Sequence, residues 1–140
     1  MMDIAILESK LADLQAFYKE IVVIVSEDSL DIIADSLKLH SVERLFQLIV
    51  DTAIDINTHI ISTSNGAVPD DYQSTFMVLA ERNILPKEFA LRIAPSVGLR
   101  NLVVHRYGKV DIKRMIEDIK KEIGQYQEYA RYIVSHLHRE

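Results

Sequence analysis

Five side chains that could take part in chemistry lie within the stretch GLRNLVVHRYG, residues 98–108. They are Arg100, Asn101, His105, Arg106 and Tyr107. A histidine titrates near neutral pH, so it can accept a proton from an attacking 2′-hydroxyl or donate one to a leaving oxygen. An arginine keeps its charge and can stabilise negative charge that develops on a phosphoryl group. These residue types therefore indicate phosphodiester cleavage without a metal ion.

The spacing of the arginine and the histidine limits how they could cooperate. On an ideal helix Arg100 and His105 lie about 140° apart, so one helix would not direct both at the same atom. They could converge if the helix frays before Gly108, or they could meet across a two-fold axis, with the arginine of one copy facing the histidine of the other. A purely structural role is the alternative, with the arginine paired to a carboxylate and the histidine capping a helix.

The stretch lies inside the one basic region of an acidic chain. Residues 86–114 hold seven Lys or Arg side chains and two Asp or Glu, whereas the whole chain has a net charge of −5. A local positive field of this kind could attract an anion such as RNA or a nucleotide. A basic face that is merely solvated is the alternative.

Length and composition exclude several other kinds of site. The 140 residues suit one domain, which we place at 1–140. Because the chain has no cysteine, it cannot form a disulfide, a thiolate zinc site or a cysteine nucleophile. The start MMDIAILESK lacks the features of a signal peptide, and the longest apolar run, IVVIV, is too short to span a membrane. We therefore expect a cytosolic protein without a membrane partner.

Apolar periodicity predicts helices throughout the chain. We expect helices over residues 3–25, over 30–62 with an interruption near His40 and Ser41, and over 72–82 after a loop at 62–71. Pro86 fits the start of a fourth helix that Pro95 and Gly98 interrupt, and Asp111 starts a last long helix. No segment alternates as a strand does. The fold class is therefore all-α, an antiparallel up-down bundle of four or five helices.

Two further groups of side chains recur at helical spacing. Asp51, Asp55 and His59 share one side of the second long helix. One interpretation is that these three side chains bind a metal ion, but no Glu-x-x-His pair recurs on another helix as a di-iron bundle needs. The stripe could instead face the Arg100 and His105 region, with Asp55 orienting either residue, or could make ordinary salt bridges. The C-terminal tyrosines at 126, 129 and 132 fit core, rim or dimer contacts better than a base-stacking surface.

The segment RNLVVHRY resembles the R-x4-6-H signature of the HEPN superfamily. It is more narrowly similar to the R-N-x-x-x-H-x-Y form of HepT-like toxins, which are partners of MntA-type minimal nucleotidyltransferase antitoxins. The segment VERLFQLIVDTAIDINTHII, residues 42–61, resembles the second helix of that family, and FMVLAERNILP, residues 76–86, resembles its short helix and turn. The order and length of the elements match as well, so the resemblance covers nearly the whole chain.

The resemblance implies a function for the motif residues. It implies a HEPN bundle that forms a homodimer with a shared cleft, and a toxin of a type II toxin–antitoxin system that cleaves RNA without a cofactor. Arg100 and His105 would be catalytic, and Asn101 and Arg106 would support them and bind RNA. Tyr107 would accept AMP from the antitoxin, which silences the toxin. Some HEPN proteins keep the fold without cleaving RNA, so a nucleotide-binding or scaffolding partner of the nucleotidyltransferase is the alternative.

Overall fold

The computed structural model describes residues 3–64, 66–105 and 110–139. These ranges contain eight helices and no strand. In chain order the helices are α1 (Ile4–Val25), α2 (Ser29–Ala34), α3 (Ser36–Thr63), α4 (Gln73–Glu81), α5 (Lys87–Ile93), α6 (Ser96–His105), α7 (Ile112–Ile123) and α8 (Gln125–His138). The all-helical fold predicted from the sequence is confirmed. None of the helices in these ranges is long and apolar enough to cross a membrane.

The second predicted helix divides at Asp35, and not near His40. Asp35 has extended backbone angles, φ −110° and ψ 103°. Its carboxylate accepts hydrogen bonds from the backbone amides of Leu37 at 3.0 Å and Lys38 at 3.2 Å, so it caps α3. His40 lies inside α3, where its Nδ1 is 3.2 Å from Oε1 of Glu43. The capping aspartate therefore fixes a break that apolar periodicity placed five residues too late.

The C-terminal half also contains more helices than predicted. Pro95 separates α5 from α6, as expected, but Gly98 lies within α6 and does not interrupt it. The last long helix divides at Gly124 into α7 and α8. Gly124 keeps right-handed helical angles, φ −61° and ψ −27°, so the division is slight. The predicted five helices thus become eight in the described ranges because three of them are divided.

The central helix of the bundle is α3. It packs against α1, α2, α4 and α6. One broad face of it is buried, through Val42, Phe46, Ile49, Val50, Ala53, Ile56, Ile60 and Ile61. A narrower polar stripe remains on the side that α6 approaches. Because α6 carries the arginine–histidine motif, α3 is the surface on which the motif is positioned.

One buried polar network ties α3 to α4 and α8. Asn57 is fully buried, and its Nδ2 donates to Oγ1 of Thr75 at 3.1 Å. The hydroxyl of Tyr129 lies 2.5 Å from Oδ1 of Asn57, to which it donates, and 3.2 Å from the carbonyl oxygen of Ala53. Buried polar groups are costly unless they are paired, so this amide fixes the register of three helices.

We expect Asn57→Ala to lower the free energy of unfolding by about 1–3 kcal/mol, because it removes two buried hydrogen bonds and leaves a cavity. Chemical denaturation of the purified protein measures this change. Gln127→Ala alters an exposed amide of α8 and should change stability by less than about 0.5 kcal/mol. Equal stabilities for the two variants would contradict a structural role for the network.

Candidate functional site

Arg100 of α6 is held by a bidentate ion pair with Asp51 of α3. Its Nε donates to Oδ1 at 2.7 Å and its Nη2 donates to Oδ2 at 3.1 Å. The side chains are 20% and 35% exposed respectively, so the pair is only partly screened by water. Two parallel N–H···O bonds fix the plane of the guanidinium as well as its position. The pair therefore holds the arginine in one orientation over α3.

Asn101 adds a third contact to the same guanidinium. Nη1 of Arg100 donates to Oδ1 of Asn101 at 3.2 Å. A guanidinium has five N–H donors, and these contacts use three of them, so two remain for an anionic ligand. Asn101 itself is exposed. The resemblance implies that Asn101 supports the catalytic residues and binds RNA, and in the structure its side-chain oxygen accepts a hydrogen bond from the arginine.

His105 is the last residue of α6 and is exposed. Because α6 is helical from Ser96 to His105, Arg100 and His105 keep the separation of about 140° that an ideal helix gives them. Fraying between the two residues, one of the two routes to convergence, is not seen. Within one chain the arginine is directed at α3, while the histidine lies on a different side of α6.

The acidic partner of the arginine is Asp51 and not Asp55. One interpretation of the sequence gives this role to Asp55, one turn further along α3. In the structure Oδ2 of Asp55 lies 3.8 Å from Nζ of Lys10 in α1, and 63% of the Asp55 side chain is exposed. Asp51 was visible in the sequence as a member of the same stripe, but nothing there distinguished the two carboxylates.

The metal interpretation of the stripe receives no support from the geometry. Among the described ranges, no three His, Asp or Glu side chains come together as metal ligands would. Asp51 is engaged with Arg100, and Asp55 lies near Lys10. The stripe therefore contributes one member, Asp51, to the arginine site.

Two motif residues, Arg106 and Tyr107, lie outside the described residues. The structure does describe the other tyrosines that could accept a modification. Tyr126 and Tyr129 are fully buried, and burial raises the pKa of both hydroxyls above the usual range. The Tyr126 hydroxyl lies 2.5 Å from Oγ of Ser96, the first residue of α6. These two side chains are core residues, as the sequence favoured, and a modifying enzyme could not reach them in the folded chain.

The fold and the arginine–histidine helix define a HEPN-type domain. The sequence model described as ribonuclease HepT-like matches residues 8–133. The chain belongs to this family, and the resemblance that the motif indicated is confirmed.

Two curated relatives show how far the likeness extends. The tRNA nuclease HepT of Aphanizomenon flos-aquae is 42% identical over 95 residues, which cover 68% of this chain and 65% of the relative. The mRNA nuclease HepT of Shewanella oneidensis is 24% identical over 83 residues, which cover 59% of this chain and 62% of the relative. In both comparisons the aligned part spans less than two thirds of the relative.

Solved structures share the fold over nearly the full chain. A tri-AMPylated HEPN toxin of Shewanella oneidensis, in complex with an MNT antitoxin, superimposes with a TM-score of 0.82 at 23% identity, over 96% of this chain and 99% of that one. YutE of Bacillus subtilis, described as a cytosolic protein of unknown function, gives a TM-score of 0.73 at 18% identity, over 93% and 90% of the two chains. These likenesses establish the fold.

We expect the Asp51–Arg100 pair to show a coupling energy of about 1 kcal/mol in a double-mutant cycle of alanine variants, because the contact is bidentate and partly shielded from water. Denaturant unfolding of the four proteins measures it. The pair formed by Lys10 and Asp55 is longer and more exposed, so its cycle should give a coupling of about 0.3 kcal/mol or less. A coupling for Asp51 and Arg100 no larger than this would show that the ion pair does not fix the arginine.

Proposed function

We propose that this protein is the toxin of a type II toxin–antitoxin system and an endoribonuclease that cleaves RNA without a metal ion. The observation that carries the proposal is the orientation of Arg100 by Asp51 on the helix that ends at His105. A fixed cation and a solvent-accessible imidazole are the two groups that metal-free phosphodiester cleavage needs. Membership of the ribonuclease HepT-like family and the nuclease names of two relatives support the proposal.

In the proposed reaction the imidazole of His105 accepts the proton of a ribose 2′-hydroxyl. The 2′-oxygen then attacks the adjacent phosphorus, and the bond from phosphorus to the 5′-oxygen of the next nucleotide breaks. A water molecule donates a proton to that leaving oxygen, and the imidazolium then returns its proton to solvent. The two remaining donors of Arg100 stabilise the charge on the non-bridging oxygens as it builds up.

We infer that two copies of the chain share the cleft. The inference is supported by the separation of about 140° between Arg100 and His105 on an unbroken helix. Across a two-fold axis each arginine can face the histidine of the other copy, so each of the two sites has one cation and one imidazole. A homodimer with two such sites is the arrangement that we propose.

We expect Arg100→Ala and His105→Ala to be inactive alone and active together. A dimer that contains one copy of each variant retains one complete Arg–His site, so random pairing should restore about a quarter of the wild-type rate. The measurement is RNA cleavage in the presence of EDTA by separately purified and co-expressed variants. Thermal midpoints and circular dichroism spectra should show that both variants keep the fold.

Three results would contradict these proposals. A co-expressed pair that stays inactive would exclude a site made of residues from two copies. A wild-type protein that folds but cleaves no RNA, with or without a divalent metal ion, would instead favour the non-catalytic scaffolding alternative. Cleavage that requires manganese or magnesium would contradict the metal-free chemistry.

We further propose that a cytosolic MntA-like nucleotidyltransferase antitoxin silences this toxin by adding AMP to Tyr107. The tyrosine oxygen would attack the α-phosphorus of ATP, pyrophosphate would leave, and the phenolic proton would pass to a base. The proposal is supported by the motif position of Tyr107, by the burial of Tyr126 and Tyr129, and by a relative that is described as AMPylated and bound to an MNT antitoxin. The added phosphate would pair with nearby arginines and compete with RNA.

We expect Tyr107→Phe to retain nuclease activity and to escape the antitoxin. After incubation with the nucleotidyltransferase and ATP, the intact mass of the wild-type chain should rise by about 329 Da for each adenylyl group transferred. Tyr72→Phe removes an exposed hydroxyl elsewhere and should leave the modification unchanged. Equal adducts on Tyr107→Phe and wild type would place the acceptor at another residue, and no adduct on either would indicate neutralisation by binding alone.

A further inference from the structure

A groove of about 290 Å³ lies between α3 and α6, beside the arginine site. It is lined by His40, Glu43, Arg44, Gln47, Val103 and Val104. Val104 directly precedes His105, so the groove reaches the histidine end of α6. Since Asp51 contacts Arg100 while earlier residues of α3 contact later residues of α6, the two helices run in opposite directions here. The groove therefore continues the arginine site toward the histidine end.

The charge of Arg100 is balanced within the chain. Asp51 occupies two of its donors and cancels its net charge at short range. An RNA strand carries a charge at every phosphate, and sequence-independent affinity depends on cations that replace its counterions. The fixed arginine can stabilise a reacting phosphate, but it adds little net positive charge for attracting the strand.

Arg44 supplies a second cation, and its hydrogen-bond partner is a neutral side chain instead of a carboxylate. It is exposed, and its Nη1 donates at 3.2 Å to Oε1 of Gln47, a neutral group that orients the guanidinium without cancelling its charge. Arg44 and Asp51 are seven residues apart, which places them on the same side of α3 and about 10.5 Å apart along its axis. Arg44 therefore lies about two helical turns from the contact that holds Arg100.

The groove also contains one carboxylate, which has an imidazole beside it. Glu43 is buried, with 11% of its side chain exposed, and its Oε1 lies 3.2 Å from Nδ1 of His40. Val103 and Val104 form an apolar wall on the opposite side. Beside this carboxylate–imidazole pair the groove offers an exposed cation, a neutral amide and an apolar surface, which suit the phosphate and the ribose of a nucleotide.

We propose that this groove is a subsite for an RNA backbone phosphate next to the one that is cleaved. Arg44 contacts the phosphate, Gln47 is a positioning residue for its guanidinium, and the valine wall packs against the ribose. The subsite rests on the proposed nuclease function, since it binds the same strand. With this subsite the two arginines have separate roles. Arg100 acts on the reacting phosphate, and Arg44 provides affinity for the RNA strand.

The test measures binding of a fully 2′-O-methylated single-stranded oligonucleotide, which has no free 2′-hydroxyl and is not cleaved. Fluorescence anisotropy at several salt concentrations gives the slope of log affinity against log salt. For one lost phosphate contact to a single strand, Arg44→Gln should make this slope shallower by about 0.7. Arg131→Gln, an exposed arginine of α8 outside the groove, should leave the slope unchanged.

Two more variants distinguish charge from orientation. Arg44→Lys should retain the wild-type slope, and Gln47→Ala should weaken binding while keeping the slope, because it removes orientation and not charge. A slope for Arg44→Gln equal to that of Arg131→Gln, at an unchanged thermal midpoint, would overturn the subsite. So would the absence of measurable binding by the wild type. Cleavage of unmodified RNA by the wild type tests the nuclease proposal separately, since the binding slopes do not depend on it.

Discussion

The ion pair between Asp51 and Arg100 is the contact on which the candidate site depends. The helix that carries the motif has 10 residues, and a helix of that length is marginal in water without tertiary support. It is held by buried Val97 and Val103 on its apolar side, by the hydrogen bond between the Ser96 and Tyr126 hydroxyls at its start, and by the ion pair at its middle. Of these, only the ion pair fixes the guanidinium of Arg100 itself. The core surrounds α3 and keeps it rigid. Because Arg100 is anchored to α3, this rigidity fixes the position of the site.

Holding the arginine in this way has an electrostatic consequence. A carboxylate at 2.7 Å orients the guanidinium but also offsets the field that would attract an anion. Preorganised donors contribute to catalysis because they need no rearrangement when charge develops on the substrate. Attraction of the strand over a distance requires cations whose charge is not balanced nearby, and the exposed Arg44 in the same groove is suited to this. Orientation and attraction thus make opposite demands on one side chain, and two arginines can meet them separately.

Local signals in the sequence predicted the helices better than they predicted the contacts between them. Apolar periodicity and Pro95 located the helices, whereas the breaks at Asp35 and Gly124 depend on how side chains cap or pack at those points. The choice between Asp51 and Asp55 shows the limit for the site. The two carboxylates lie about 40° apart on one helix face, so periodicity treats them alike. Which of them meets Arg100 is decided by the register of α6 against α3, and that register is a property of the packed core.

The fixed orientation of Arg100 is also the reason for proposing a homodimer. A long arginine on a fraying helix could swing toward His105. Such a mobile side chain would adopt many conformers, and ordering it into the one geometry needed for catalysis would cost entropy. The ion pair removes that freedom by directing the guanidinium at α3, on a helix that stays intact through His105. Within one chain the guanidinium of Arg100 is therefore fixed, and it does not meet the imidazole of His105 in the same chain. In the proposed dimer a two-fold axis would bring the guanidinium of one copy to the imidazole of the other without loosening either side chain.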